Sequence, residues 1–270
     1  MKTPLIIFTG VLFATCIGTG QPVEVGPGVV QLGTFQSPNI TESSGVIPSH
    51  RLRGAYWTHN DESSVLYAFS VDGVTMSEWT IQGVELRDWE DISWASGRIY
   101  IADIGNNHGN PGDVYLVAEP NPRKSGVLRV LRRWELKYPD DPFDAESFFL
   151  SRKRGYLIEK ATGNAHVYRF NLSGRTAGQL ERQCVLNTDA PVTGADITRD
   201  NRRLAVITGA GAYLFRLPKY VPTEGTLQPA LFVPYDLPSM EGCAFTRYGL
   251  VVTAETGEIL LFTDPLFRVR

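Results

Sequence analysis

Cysteine is scarce in this chain, and an excess of either charge and, past the first 20 residues, long apolar runs are missing. Three cysteines, Cys16, Cys184 and Cys243, stand among 270 residues, which excludes a fold stapled by several disulfides. Lysine and arginine number 26 against 29 aspartates and glutamates, a formal net charge of −3. A nucleic-acid partner calls for a basic face, so none is expected. Beyond residue 20 no stretch stays apolar for the roughly 20 residues that a membrane span needs. Also absent are the Gly-x-Ser-x-Gly elbow, the Walker loop, the dinucleotide fingerprint, His-Glu-x-x-His and Cys-x-x-Cys. Elbow-type serine hydrolysis and cofactor-bound redox chemistry therefore have no support. No amphipathic helical period emerges either.

What is present begins with an N-terminal segment of export type. Lys2 is its only charge, Leu5 to Ile17 is apolar, and Gly18-Thr19-Gly20 offers small residues for cleavage. The expectation is a signal peptide over 1–20 and a secreted or periplasmic protein over 21–270. Lipidation of Cys16 is the alternative, against which Phe13-Ala14-Thr15-Cys16 is a poor lipobox.

The body of the chain repeats. A small or acidic pair followed by an apolar residue returns about every 45 to 56 residues: Ser44-Gly45-Val46, Glu90-Asp91-Ile92, Glu146-Ser147-Phe148, Ala195-Asp196-Ile197 and Glu241-Gly242-Cys243. After each start come short strands, apolar on both parities, separated by turn residues such as Val71-Asp72-Gly73 and Glu255-Thr256-Gly257. Repeats of this length made of short strands predict an all-β fold, a single β-propeller with one four-stranded sheet per repeat. Five starts predict five blades. Six is the alternative, because the second repeat is long enough to hide a degenerate one. The last repeat ends after three strands, so Val29 to Phe35 is expected to supply its fourth and close the ring. This arrangement puts Cys184 at a blade's outer edge and Cys243 on an inner strand, too far apart to pair.

Two acidic and amide groups recur at matching places. One sits at the strand starts: Asp88, Glu90 and Asp91, Asp144 and Glu146, Asp196, and Glu241. The other follows the next strand: His59-Asn60-Asp61, Asp103 with Asn106-Asn107, Glu159, and Glu255. Both should meet at one end of the axial channel, with few cations nearby: Lys160 beside Glu159, and Arg51 and Arg53 ahead of the first repeat's strand. Crowded carboxylates must keep protons or take a cation. Oxygen-only ligands suit Ca²⁺, so Glu90, Asp103, Asn107, Glu146 and Glu241 are its candidate ligands. His59 and Asp91 are candidate general bases. Architectural use of the same acids, as acceptors of neighbouring main-chain amides, is the competing reading for each.

Through Trp57-Thr58-His59-Asn60-Asp61, Asp88-Trp89-Glu90-Asp91-Ile92, Tyr100-Ile101-Ala102-Asp103-Ile104-Gly105-Asn106-Asn107, Asp144-Ala145-Glu146 and Val192-Thr193-Gly194-Ala195-Asp196-Ile197, the chain resembles a group of exported bacterial β-propeller proteins without an assigned function. More remotely it is similar to the gluconolactonase-like and phytase-like propellers. That resemblance implies acidic and amide side chains holding calcium at the axial channel. At Val206-Ile207-Thr208-Gly209-Ala210 the chain lacks the arginine and aromatic pair expected from the closer group, and with it an anion contact. Two functions remain open: a monomeric binding or scaffold module that docks a small molecule or protein on its loop face, and a calcium-dependent hydrolase of an ester, lactone or phosphoester.

Overall fold

Strands buried on both faces need a neighbour on each side, and a ring of stacked sheets provides it. The computed structural model describes residues 21–106, 112–174 and 179–269; Asn107 and the 1–20 segment lie outside that range. Strands β1 (Val23–Gly26) and β2 (Val29–Thr34) come first in the chain and are used last. The first blade is β3 (Gly45–Pro48), β4 (Ala55–His59), β5 (Val65–Ser70) and β6 (Thr75–Gln82). The second is β7 (Trp89–Ala95), β8 (Arg98–Asp103), β9 (Asp113–Ala118) and, beyond β10 (Gly126–Arg129), β11 (Arg132–Glu135). The third is β12 (Ala145–Ser151), β13 (Arg154–Glu159), β14 (Asn164–Asn171) and β15 (Glu181–Asn187). The fourth is β16 (Val192–Ile197), β17 (Arg203–Thr208), β18 (Gly211–Arg216) and, beyond β19 (Thr226–Leu227), β20 (Leu231–Pro234). The last is β21 (Met240–Phe245), β22 (Leu250–Ala254) and β23 (Glu258–Phe262). The one helical turn among the described residues is a 3₁₀ turn at Pro265–Phe267.

The inner strands β3, β7, β12, β16 and β21 each touch the next, and β21 returns to β3. A five-bladed ring results. Closure is as the sequence predicts: β2 pairs antiparallel with β23, Val29 facing Phe262, and β1 adds outside it. The crossing is tight. A Cβ on Gly73 (φ +88°) would lie 1.8 Å from the Thr34 carbonyl oxygen, so only glycine fits there.

The long second repeat hides no sixth blade. Its extra residues form β10, which pairs parallel with β6 of the blade before. In the same way β19 leaves the fourth blade and pairs parallel with β15 of the third. These added strands cover edges that would otherwise offer unpaired amides.

The core divides into layers, one between each pair of neighbouring blades. Trp57 and Leu66 of the first meet Trp89, Ile99 and Tyr115 of the second. Phe149 and Tyr156 of the third meet Val206 and Tyr213 of the fourth. Residues of both parities are buried because each sheet is covered on both faces. At the first interface a carboxylate is built in: Glu119 accepts from Ser49 Oγ and the His50 amide (both 2.8 Å), Trp94 Nε1 (2.8 Å) and Trp57 Nε1 (3.3 Å). Cys184, on the outer strand β15, and Cys243, on the inner strand β21, are free and buried.

Candidate functional site

Each inner strand after the first opens with a β-bulge. The register slips between Trp89 and Asp91, Ala145 and Ser147, Val192 and Gly194, and Met240 and Gly242. A bulge leaves one residue unpaired and re-aims its side chain. Those residues are Glu90, Glu146, Thr193 and Glu241. Four blades thus carry one extra residue at the same height, and three of the four are glutamates. The fourth blade corrects its expected alignment: the counterpart of Glu90 is Thr193, and Asp196 stands farther along the strand, opposite Ala205. Thr193 donates to the Met240 carbonyl at 2.5 Å.

The structure brings Glu90, Glu146 and Glu241 together, each less than 10% exposed. Burial, then the charges of Glu146, Asp88, Glu241 and Asp144, holds the Glu90 carboxyl well above its usual range. Burial, then Glu146 and Glu255, lifts Glu241 to about 9. Burial lifts Glu146 to about 7, although Lys160 pulls the other way. The Lys160 ammonium bonds Glu146 Oε1. Burial lowers the Lys160 pKa, and its acidic neighbours, Glu146 first, more than offset that. Glu146 Oε2 is buried with no hydrogen-bond partner.

Gly105 adds a cradle under Glu90. A Cβ there would meet Glu90 Oε1 at 2.2 Å and Asp88 Oδ2 at 2.3 Å, so glycine lets two carboxylates come down on the main chain. Asn106 anchors the same loop, donating from its amide to Asp144 Oδ1 (3.1 Å) and from Nδ2 to the Pro142 carbonyl (2.8 Å).

The remaining sequence-derived candidates are placed differently. Asp103 sits with Asp88, Arg87 and Asp113. Its Oδ1 accepts the Asp88 amide at 2.7 Å, its Oδ2 has no hydrogen-bond partner, and burial lifts it to about 6. Asp91 staples two blades, accepting the amides of Ile92 and of Phe148 at 2.8 Å each. His59 is fully buried. Its Nδ1 faces the Asn60 carbonyl at 3.1 Å, its Nε2 has no partner, and burial drops its pKa to about 4, so the ring is neutral. It packs edge-on to Trp89 and fills the space above Gly45. Asn60 holds the preceding loop through the amides of Thr41 and Glu42. Among the described residues no three His, Cys, Asp or Glu side chains stand close enough to enclose a metal ion.

Sequence reasoning missed the role of Lys160 as the cation against Glu146. Its position one residue after Glu159, at the end of the second strand of its blade, was the available signal.

No family model matches the chain, and no curated protein sequence does. Solved structures do. A luciferin-regenerating enzyme superposes with a TM-score of 0.50 at 12% identity, over 91% of this chain and 96% of that one. A gluconolactonase from Xanthomonas campestris superposes with a TM-score of 0.54 at 12% identity, over 86% and 88%. At that identity the likeness is one of fold: the chain is a β-propeller remotely similar to gluconolactonase-like propellers. Among the described residues no helix is long and apolar enough to cross a membrane.

Proposed function

We propose that the acidic channel mouth is a cation site and that the protein works as an exported binding module built around it. The convergence of Glu90, Glu146 and Glu241, delivered by three separate bulges into one buried place, carries this reading. Three architectural acids would each hold main-chain amides, as Asp91 and Asp196 do within and between blades. The donor chemistry is that of a hard divalent cation such as Ca²⁺, carboxylate oxygens only, with Glu146 Oε2 unpartnered and the Gly105 cradle beneath Glu90. Binding would draw together side chains that now stand too far apart to enclose an ion. Glu90, Asp88, Glu146 and Glu241 would hold it once Lys160 swings off Glu146, with Asp103, at the end of β8, nearby; Asn107, the remaining expected ligand, lies outside the described residues. Bound there, the ion would offset the burial, and after it the mutual repulsion, that now keep protons on these groups. Calorimetric titration with Ca²⁺ at pH 8 tests the reading. Heat of binding that disappears in Glu146→Gln and Glu241→Gln supports it, and a flat trace in the parent protein overturns it.

A second reading, hydrolysis of a lactone or another ester, draws on one observation: neighbouring carboxyls titrate far apart, Glu146 at about 7 and Glu241 at about 9. Pairs separated in this way supply an acid and a base at one pH. Protonated Glu241 would donate to the acyl oxygen while Glu146, released from Lys160, takes a proton from the attacking water. The fold it shares with a gluconolactonase points to lactones as the first substrates to try. His59 and Asp91 stand behind the channel wall, so Glu146 takes the basic role in this scheme. Turnover of a lactone panel that falls at least a hundredfold in Glu146→Gln would favour hydrolysis over binding alone.

Residues 1–20 support secretion or a periplasmic location. N-terminal sequencing of exported protein, with Gln21 first for cleavage near Gly20 or a lipid-modified Cys16 for an anchor, decides between the two forms of export.

A further inference from the structure

The far end of the axis carries the opposite charge. There the turns that join the first and second strands of each blade surround a cavity of about 1860 Å³, which runs into the channel as far as Asp196. Four of these five turns bring an exposed arginine to its wall: Arg53, Arg152, Arg199 and Arg247. No ion pair with a carboxylate engages any of the four among the described residues. Three of them rest on neutral groups instead. The Arg152 guanidinium lies 4.8 Å from the Tyr220 ring centre, Arg247 lies 4.5 Å from that of Tyr248, and Arg199 Nη2 is 3.3 Å from His50 Nδ1.

The acids in the same cavity are already engaged. Asp196 accepts the amides of Ile197 and Phe245 at 2.8 Å each. Asp200 accepts Thr198 Oγ1 at 2.6 Å and the Arg202 amide at 3.0 Å, and Asp72 accepts the Ser70 hydroxyl. Arg203 is engaged as well, donating to the carbonyls of Leu266 and Arg268. What remains is a ring of guanidinium forks without carboxylates.

Backbone strain is an independent sign. Ser151 pairs with Arg154, so Arg152 and Lys153 are the two residues of a tight hairpin turn, with φ of +51° and +66°. Such turns favour Asn-Gly, which accepts positive φ without strain. The corresponding turn of the second blade keeps glycine, as Ser96-Gly97. A long cation, Arg152, held in a strained position on the cavity wall, with Lys153 beside it in the same turn, indicates a use that outweighs local preference.

We propose that this basic cup binds an acidic oligosaccharide. Arginine forks match the planar geometry of carboxylate and sulfate groups. Trp94, packed on His50, and Tyr248, packed on Arg247, line the same wall and set aromatic surface beside the guanidinium forks. The cavity exceeds the roughly 300–1,000 Å³ of an ordinary small-ligand pocket, which suits a chain of several sugars touching several turns at once. The site is separate from the acidic mouth and does not depend on its function.

The experiment is calorimetric titration of the full chain with tetragalacturonate and with a heparin tetrasaccharide, using maltotetraose and hexaglutamate as controls. Binding of at least one charged sugar, weakened about tenfold or more between 50 and 500 mM salt, is expected. Neither control should bind comparably. Arg152→Asn with Lys153→Gly relieves the strained turn, so this pair should raise the melting temperature while cutting affinity about tenfold. Arg247→Ala should cut it similarly, and Glu241→Gln at the opposite mouth should leave it unchanged. No binding of either charged sugar, equal binding of hexaglutamate, or affinity untouched by the arginine variants would overturn the proposal.

Discussion

Asp91 in the second blade accepts the main-chain amide of Phe148 in the third at 2.8 Å, and Asp196 in the fourth repeats this with Phe245 in the fifth. Carboxylates of the inner strands thus join neighbouring blades through main-chain hydrogen bonds. Asp91→Ala would leave the amides of Ile92 and Phe148 buried and unpaired. At about 1–3 kcal/mol per orphaned donor, a loss of roughly 3 kcal/mol is expected in urea unfolding. A loss under about 1 kcal/mol would show that water reaches these amides.

Stability should fall as pH rises, when metal is kept away with chelator. Glu241 titrates at about 9 in the folded chain against an ordinary 4.5, and Glu146 at about 7. Between those values the folded protein holds protons that the unfolded chain has lost. Their contribution is complete below about pH 4.5 and is lost progressively towards pH 9. His59 works in the other direction. Its folded pKa of about 4 lies below the ordinary 6.5, so its contribution is present above 6.5 and lost as pH falls towards 4. Thermal melts from pH 4 to 9 should show both limbs, and Glu241→Gln should flatten the alkaline one. An alkaline limb equally steep in that variant would place the titration elsewhere.

Gly105→Ala separates the cation site from the fold. The φ of Gly105 is not positive, so the added methyl strains no backbone, but it must push Glu90 and Asp88 away. Calcium affinity should drop at least tenfold while the circular dichroism spectrum stays that of the parent. Unchanged affinity would take Glu90 out of the site.

Removing residues 21–34 deletes β1 and β2 and leaves the last blade with three strands and an exposed β23. Such a truncation should melt at least 10 °C lower, by loss of several kcal/mol from a domain of this size, and be cut rapidly by trypsin. A parent-like melting curve would mean that the ring closes without its clasp.

Neither Cys184 nor Cys243 should be alkylated by iodoacetamide in the native protein. Both thiols are buried, and burial raises their pKa, Cys184 to about 11. Mass spectrometry before and after denaturation reads the difference, and native modification at either residue would reveal local opening of its blade.

The ring, its five blades and its clasp were legible in the sequence because short strands at a steady interval leave few other ways to bury both faces. Registers were less legible. Asp196 sits beside an isoleucine as Asp91 does, so the fourth start was aligned by that pair, whereas the bulge that sets the true alignment falls at Thr193 and has no residue signature. The convergence of Glu90, Glu146 and Glu241 followed from topology alone. The Lys160 contact and the Gly105 cradle depend on side-chain reach, which spacing does not encode. The arginine ring was not legible for a different reason: its members lie in turns of unequal length, and Arg53, expected beside the acidic groups, stands with Arg152, Arg199 and Arg247 at the opposite end because its turn follows the first inner strand instead of preceding it.

Pairing Val29 with Phe262 has a temporal consequence. The strand made earliest waits for nearly the last one before it has a partner, so no partial chain emerging from a ribosome or a translocation pore contains a complete ring. Each unfinished intermediate presents a raw sheet edge at both extremities. Under the export proposed above, a chain built this way would cross while unfolded and would close its ring only afterwards.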